Sequence, residues 1–387
     1  MPSKVNPEIL KWARKSAKIT LDKAAKTISK TCKIERIKEW EDVAGKDVPS
    51  VKQTEKLARL YRRQVDIFYL PFIPKDFPPL KDFRKEKDEY NTALIFMMRE
   101  IQEKQEWLSN YLKKQREKKL DYCGKFNIKN QPGIVAADIR KTLGINSKQN
   151  IVTPIKHWIE KAENKRIYVS LSSNYHSRLK LDSDVFKGFV IADKFAPFIF
   201  INSDDWDHGQ LFTLVHELAH IWIGVTGVSN DTGIVNAPTQ GMHLVEKFCN
   251  EVATLALLPP EEVEFFIPTK GELVYKNISK AGRKLGVSTQ AILQRLLKLD
   301  LIDSGKYNQL KKEADDAWKE FLYKESIKKK SAGGPNYYIM QLRRSSKAYS
   351  NIIMNIYKGG KINGVDASRL LKVKEGNFQK FEKYIYK

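Results

Sequence analysis

The sequence predicts a mainly helical chain with a small sheet, an α+β fold, and three observations carry that expectation. Helix-capping residues and apolar positions at helical spacing recur from residue 7 to about 119 and again beyond Pro259-Pro260. Between them lie three β-rich runs, Arg166–Leu171, Phe186–Ile191 and Phe198–Asn202. Immediately after the last run comes an apolar helix carrying two histidines and a glutamate, Phe212-Thr213-Leu214-Val215-His216-Glu217-Leu218-Ala219-His220-Ile221-Trp222.

At 387 residues the chain has room for two or three domains, and 42% hydrophobic with 11% aromatic residues is the composition of an ordered protein. No apolar run reaches membrane-spanning length, and Gly188–Ile201 is broken by Asp193 and Lys194. Residues 1–6 lack the apolar stretch of a signal peptide. Three scattered cysteines, Cys32, Cys123 and Cys249, form no disulfide framework and no C-x-x-C site. These features give the expectation of a reduced, cytoplasmic protein without a membrane partner. The net charge of +23 is unevenly spread: 17 basic against 9 acidic residues over 1–73, and 14 against 10 over 74–130. The balance turns to 12 against 16 over 131–268, then 26 against 11 over 269–387. Positive charge therefore lies outside the histidine-bearing segment, the pattern expected of a polyanion-binding protein with nucleic acid the default partner.

Residues 1–73 read as a bundle of short helices. Asn6 caps Pro7–Arg14, with Pro in the first turn. Thr20 caps Leu21–Ala25, whose alanines allow close approach; Ile34–Glu41 forms a third helix, and Thr54–Tyr61 a fourth after a turn with Gly45 and Pro49. The small residues in the second helix, Trp40-Glu41 closing the third and the Leu-Ala-Arg-Leu-Tyr helix resemble the phage-repressor-like (Xre-type) helix-turn-helix. That resemblance implies a recognition segment near Lys33–Lys38, with Lys33, Arg36 and Lys38 meeting bases or phosphates. The chain departs from the pattern in lacking the usual Gly in Ser29-Lys30-Thr31-Cys32 and in carrying Glu35 and Glu39 on the same helix; a protein-docking bundle is the competing reading. Pro71–Pro74 and Pro78-Pro79 make a stiff boundary. Residues 74–130 then form a helical linker or docking segment, a long helix from about Asp88 to Lys119 with Ile95, Met98, Ile101, Trp107, Leu108 and Tyr111 as its apolar stripe.

Residues 131–268 change character. A helix over Val135–Ile145 is stopped by Gly144, another spans Pro154–Ala162, and the β-rich runs follow. Gly188-Phe189 and Ile199–Ile201 are the candidates for an edge strand that would hold an extended peptide. In the next helix His216 and His220 stand one turn apart, so both imidazoles leave one face and reach a single ion; Glu217 is suited to take a proton from a water there. Zinc catalysis needs a third protein ligand. Downstream, Glu246, Cys249, Asn250 and Ala253 fall at helical spacing before Pro259, while His243 offers an imidazole, the commonest zinc donor.

His216-Glu217-x-x-His220 followed by Glu246-x-x-Cys249-Asn250-x-x-Ala253 and Leu-Leu-Pro resembles the ImmA/IrrE-type zinc metallopeptidases, with a zincin-like central domain. The resemblance implies that Glu246 is the third metal ligand and Glu217 the general base, which leaves His243 as a candidate transition-state donor. Zn2+ is the expected cofactor, and Mn2+ is an ion such ligand sets also accept. The loop Gly224–Gly241 would act as a lid between the two metal-bearing helices.

Residues 269–387 form a basic helical C-terminal domain. Ser279–Leu299 reads as helix, Gly turn, helix with Ser288 as cap, a helix-turn-helix-like segment with Arg283, Lys284, Arg295 and Lys298 as phosphate contacts. Lys328–Pro335 reads as a solvated loop, and the sequence assigns no role to residues 336–387. The family resemblance implies a zinc endopeptidase, possessing conditional activity, coupled to DNA binding. Its substrate would be a DNA-binding repressor or antitoxin-like protein, cleaved to derepress a stress, phage or toxin–antitoxin operon, and a dimer is compatible with that role. The competing reading is a DNA-binding transcriptional regulator or antitoxin whose metal domain is a sensor or scaffold.

Overall fold

A computed structural model describes residues 4–74, 92–146, 153–176, 179–181, 186–229, 244–264, 273–327 and 336–386. It is mainly helical with a small four-stranded sheet. The chain divides into two compact units, the first comprising Met1–Pro79, Asp88–Gln102 and Asn174–Lys180, the second the remainder.

The first unit opens with α1 (Pro7–Ser16), α2 (Leu21–Ile28), α3 (Ile34–Trp40) and α4 (Val51–Tyr61), then a 3-10 turn over Val65–Tyr69. Each boundary has a local cause. The Asn6 side chain accepts from Glu8 N, Thr20 accepts from Lys23 N, and Ser50 and Gln53 form a reciprocal capping box at α4. Ile9, Leu10, Ala13, Ala24, Ala25, Ile37, Trp40, Leu57, Tyr61 and Phe68 make the core. A buried ion pair crosses it: Arg14 Nε and Nη2 donate to the two oxygens of Glu41 at 2.7 and 2.8 Å. The long helix α5 spans Thr92–Lys114, and the division between units falls within it at Gln102/Glu103; residues 88–91 lie outside the described residues.

The second unit continues with α6 (Pro132–Leu143), α7 (Pro154–Glu163) and β1 (Tyr168–Ser172). The short hairpin β2 (Asn174–His176) and β3 (Leu179–Lys180) belongs to the first unit. Then come β4 (Gly188–Ile191), β5 (Phe198–Asn202), α8 (Asp207–Ile223), β6 (Gly227–Ser229) and α9 (Leu244–Leu257). The chain ends with α10 (Pro260–Val263), α11 (Tyr275–Leu285), α12 (Thr289–Lys298), α13 (Ser304–Ile327), α14 (Tyr337–Ser345), α15 (Lys347–Lys358), α16 (Gly364–Leu371) and α17 (Phe378–Ile385).

The sheet runs β1-β5-β4-β6, with β1 parallel to β5 and the other two pairings antiparallel. This corrects the expected substrate edge. Gly188-Phe189 lies in β4 and Ile199–Ile201 in β5, and both strands are hydrogen-bonded on each side, so neither has a free ladder for an added strand. Their uninterrupted apolar character reflects that interior position.

One hydrophobic core joins residues 120–314. It includes Val135 and Ile139 of α6, Leu214, Val215 and Leu218 of α8, Val252 and Ala256 of α9, and Ile278, Ile292, Leu296 and Leu310 of the later helices. The limits expected at 131 and 268 therefore fall inside a continuous core. The C-terminal helices also pack on this unit. α14 lies along β1, and the Tyr349 ring of α15 meets Tyr168 and Phe198. Glu163 caps the start of α15: one carboxylate oxygen accepts from Ser346 Oγ at 2.6 Å and Lys347 N at 3.1 Å, the other from Ala348 N at 3.2 Å. Burial raises the Glu163 pKa above its ordinary value even against those donors. Among the described residues no helix is long and apolar enough to cross a membrane.

Candidate metal centre

The site is built on α8, of which every residue from Gln210 to Ile223 is buried. Its apolar side chains place it in the centre of the core, and Gly224 ends it in the left-handed conformation at φ 68°. A side chain there would also press on Gly124, whose Cα lies 3.1 Å from the position of a Cβ. α9 packs beside α8 and buries Glu246, Cys249 and Asn250.

Between the two helices the donor groups of three residues converge. His216 Nε2 lies 3.1 Å from His220 Nε2 and 3.2 Å from Glu246 Oε2, and His220 Nε2 lies 3.0 Å from Glu246 Oε1. Among the described residues these three form the group able to hold a metal ion. The spacing can be tested against an ion. Tetrahedral zinc with donors at about 2.0–2.1 Å sets its ligand atoms about 3.3 Å apart; the observed separations of 3.0–3.2 Å come close to that edge.

The chemistry of the donors agrees. The second ring nitrogen of His216, Nδ1, is 2.7 Å from Asn250 Oδ1. An amide oxygen only accepts, so Nδ1 carries a hydrogen, and in the neutral ring Nε2 is then the nitrogen whose lone pair can bind an ion. Burial lowers the His220 pKa and so favours its neutral form. Burial alone would raise the Glu246 pKa, but His216 and His220 outweigh it and hold the carboxyl at about 2. Two imidazoles and a carboxylate are a donor set that suits zinc. Cys249 is no competitor, because burial, with the charges of Glu246 and Glu217, pushes its thiol far up and keeps it protonated.

Glu217 is fully buried on α8 and faces β4. A Cβ at Gly188 would stand 3.2 Å from Glu217 Oε1, 2.7 Å from Thr213 Cγ2 and 2.8 Å from the Phe200 carbonyl oxygen. Gly188 therefore makes the space in which the Glu217 carboxylate sits. Sequence reading placed Gly188 on a substrate edge and gave Asn250 no role. The i, i+4 spacing of Glu246 and Asn250 was the available signal for the second.

The structure brings His216, His220 and Glu246 together, and Glu217, next to His216 in the chain, is buried against Gly188. His243 and most of the loop expected as a lid, residues 230–241, lie outside the described residues. The expected nucleic-acid contacts fare differently from one another. Lys33, the N-cap of α3, and Lys38 within it are exposed, but Arg36 donates to Asp47 at 2.9 Å and stacks over Trp40 at 5.2 Å. Hydrogen bonds from Trp40 and then Arg36 hold the Asp47 carboxyl below its ordinary value. Arg283 and Lys284 are exposed on α11, and Lys298 pairs with Glu251 at 3.9 Å. Arg295 is a correction: it is buried, and its Nε donates to the Leu258 carbonyl at 3.2 Å, so it ties α12 to the end of α9 and presents nothing to a phosphate.

Two buried helices thus converge two imidazoles and a carboxylate into a group that could hold one metal ion. Residues 167–297 match the family model of the IrrE N-terminal-like domain, Peptidase_M78, so this stretch is similar to a metallopeptidase domain and spans β1 through α12. No curated protein matches the chain.

Proposed function

We propose that this chain is a zinc-dependent endopeptidase that cleaves a DNA-binding repressor or antitoxin-like protein, with its basic helical parts bringing it to DNA. The observation that carries the peptidase reading is the convergence of His216 Nε2, His220 Nε2 and Glu246 within ligand distance of one another, next to Glu217. His216, His220 and Glu246 would hold the ion, and Asn250 fixes the His216 ring in the tautomer that can coordinate. Zinc held there supplies Lewis-acid polarisation of a carbonyl and acidifies water. Glu217 accepts the proton of the water whose oxygen forms the new bond to the carbonyl carbon. It then passes that proton to the amide nitrogen as the C–N bond breaks. Gly188 leaves room for the Glu217 carboxylate to be held for both transfers. The substrate class rests on the family resemblance and on the charge distribution: +8 over residues 1–73 and +15 over 269–387 support residence at DNA, where such a substrate is found.

Metal content of protein purified without chelators tests the reading. One equivalent of zinc is expected, lost in Glu246→Ala and kept in Glu217→Gln, with Glu217→Gln unable to cleave a repressor that the parent protein cleaves. Absence of stoichiometric metal from the parent protein would overturn it.

A further inference from the structure

α13 behaves as two different helices. In its first half Tyr307, Leu310 and Ala314 are buried in the core of the second unit. The same stripe continues through Trp318, Phe321 and Leu322, but from Asp315 to Ile327 every residue except Ala317 and Glu325 is exposed. Trp318 stacks on Phe321 at 5.3 Å, and Trp206, the residue before α8, meets both rings edge-on at 5.2 and 5.6 Å. These three rings are 44%, 40% and 39% exposed for Trp206, Trp318 and Phe321. An apolar stripe that leaves the core and ends in a clustered trio of half-exposed aromatic rings is the kind of surface a protein partner covers.

Charge selects the partner. The side chains of Lys319 and Lys324 are taken by Asp316 and Glu320 within α13, and Lys187 is taken by Asp205. Asp204 and Asp207, which flank Trp206 and are exposed, have no cationic partner within ion-pair distance among the described residues. In a chain of net charge +23 the rim of this ring cluster is negative. Tryptophan faces also attract guanidinium groups.

We propose that Trp206, Trp318 and Phe321, rimmed by Asp204 and Asp207, form a docking surface for a cationic amphipathic helix of the protein substrate. Apolar side chains of that helix cover the rings, and flanking arginines or lysines meet the two aspartates. A DNA-binding protein carries such helices, and because Trp206 directly precedes the helix that bears His216 and His220, docking here tethers the substrate to the domain that cleaves it. This assignment rests on the peptidase reading for the identity of the partner, though the surface itself does not.

The test uses full-length protein and two labelled synthetic peptides, followed by fluorescence anisotropy. One is an amphipathic helix with a leucine/phenylalanine face flanked by arginines; the other replaces the arginines with glutamates. The first should bind, with equal affinity in the parent protein and in Glu217→Gln, and the second should not. Trp318→Ser/Phe321→Ser should weaken binding by about tenfold or more. Asp204→Asn/Asp207→Asn should weaken it less and reduce its salt dependence. Unchanged thermal melts and metal content of the variants would show that only the surface has been altered. No binding, or binding indifferent to both double variants, would overturn the proposal while leaving the metal measurement standing. So would sedimentation showing that Trp318→Ser/Phe321→Ser converts a dimer to monomers, since the surface would then belong to a second copy. Peptide binding by a parent protein that purifies without stoichiometric metal would retain the surface, and the missing metal, not the binding, would overturn the peptidase reading.

Discussion

Asn250→Ala offers the sharpest probe of how the metal centre is held. Asn250 touches the site only through His216, whose Nδ1 lies 2.7 Å from Oδ1 between two buried residues. Removing the amide leaves a buried imidazole N–H without that acceptor, at a cost of about 1–3 kcal/mol, and frees the ring to take the other tautomer or rotate. Loss of such a partner typically lowers metal affinity about 10- to 100-fold, or about 1.4–2.7 kcal/mol. The assay is zinc competition against a chromogenic chelator at neutral pH, with metal-free protein melted in parallel to separate affinity from stability. Asn250→Asp keeps an acceptor at the same position and should recover most of the affinity. Asn250→Ala within twofold of the parent would refute the idea that the amide orients His216. Failure of Asn250→Asp to exceed Asn250→Ala would show that packing, not the hydrogen bond, is what the alanine removes.

Three further outcomes follow from the same geometry. Gly188→Ala should destabilise the protein by about 1–3 kcal/mol in denaturant titrations, because the new methyl meets Thr213, the Phe200 carbonyl and Glu217 with no free space; a melt equal to the parent would contradict the crowding. Glu41→Ala strands Arg14, 12% exposed at its side chain, and should cost about 3–5 kcal/mol by the same measurement. Metal-free protein should lose stability in acid. Burial lowers His220 from its ordinary 6.5 and the imidazoles lower Glu246 from 4.5 to about 2, so both groups bind protons more readily when unfolded. Their contribution is present above those ordinary values and is lost as pH falls through the folded ones. Unfolding free energies that stayed level or rose between about pH 7 and about pH 4 would reverse that sign.

How much of this was legible in the sequence depended on whether a signal was local. Asn6 and Thr20 announced α1 and α2 because a cap and its helix are neighbours in the chain. His216 and His220 were readable for the same reason, one helical turn apart. Glu246 required the resemblance, since nothing local distinguishes a ligand carboxylate from a surface one. What stayed hidden was long-range. The interior positions of β4 and β5 follow from β1 and β6 pairing outside them, and hydrophobic runs alone do not reveal which strand lies at an edge. Arg295 looked like a phosphate contact because its neighbours are basic, yet its partner is a carbonyl 37 positions earlier. Residues 336–386 gave no hint that their helices pack on β1 through Tyr349 and on α7 through Glu163.

The charge of the site argues for the kind of ion it takes. Glu217 and Glu246 are both buried, burial favours the neutral form of His220, and the Glu246 carboxyl is held well below its ordinary value. The Glu246 carboxylate thus sits among buried groups of an apolar helix pair, and His220 gives up its proton more easily than an exposed histidine does. A divalent cation compensates that buried anion without asking any group to titrate. The same balance explains why burial of so polar a cluster at the centre of α8 is compatible with a stable core: the helix surrounds the site with Leu214, Val215, Leu218, Ala219 and Ile221, which contribute apolar burial, while the electrostatic cost falls on one compensated point. A substitution that changes that charge, such as Glu246→Gln, should therefore weaken divalent ions far more than a change of equal volume elsewhere on α9.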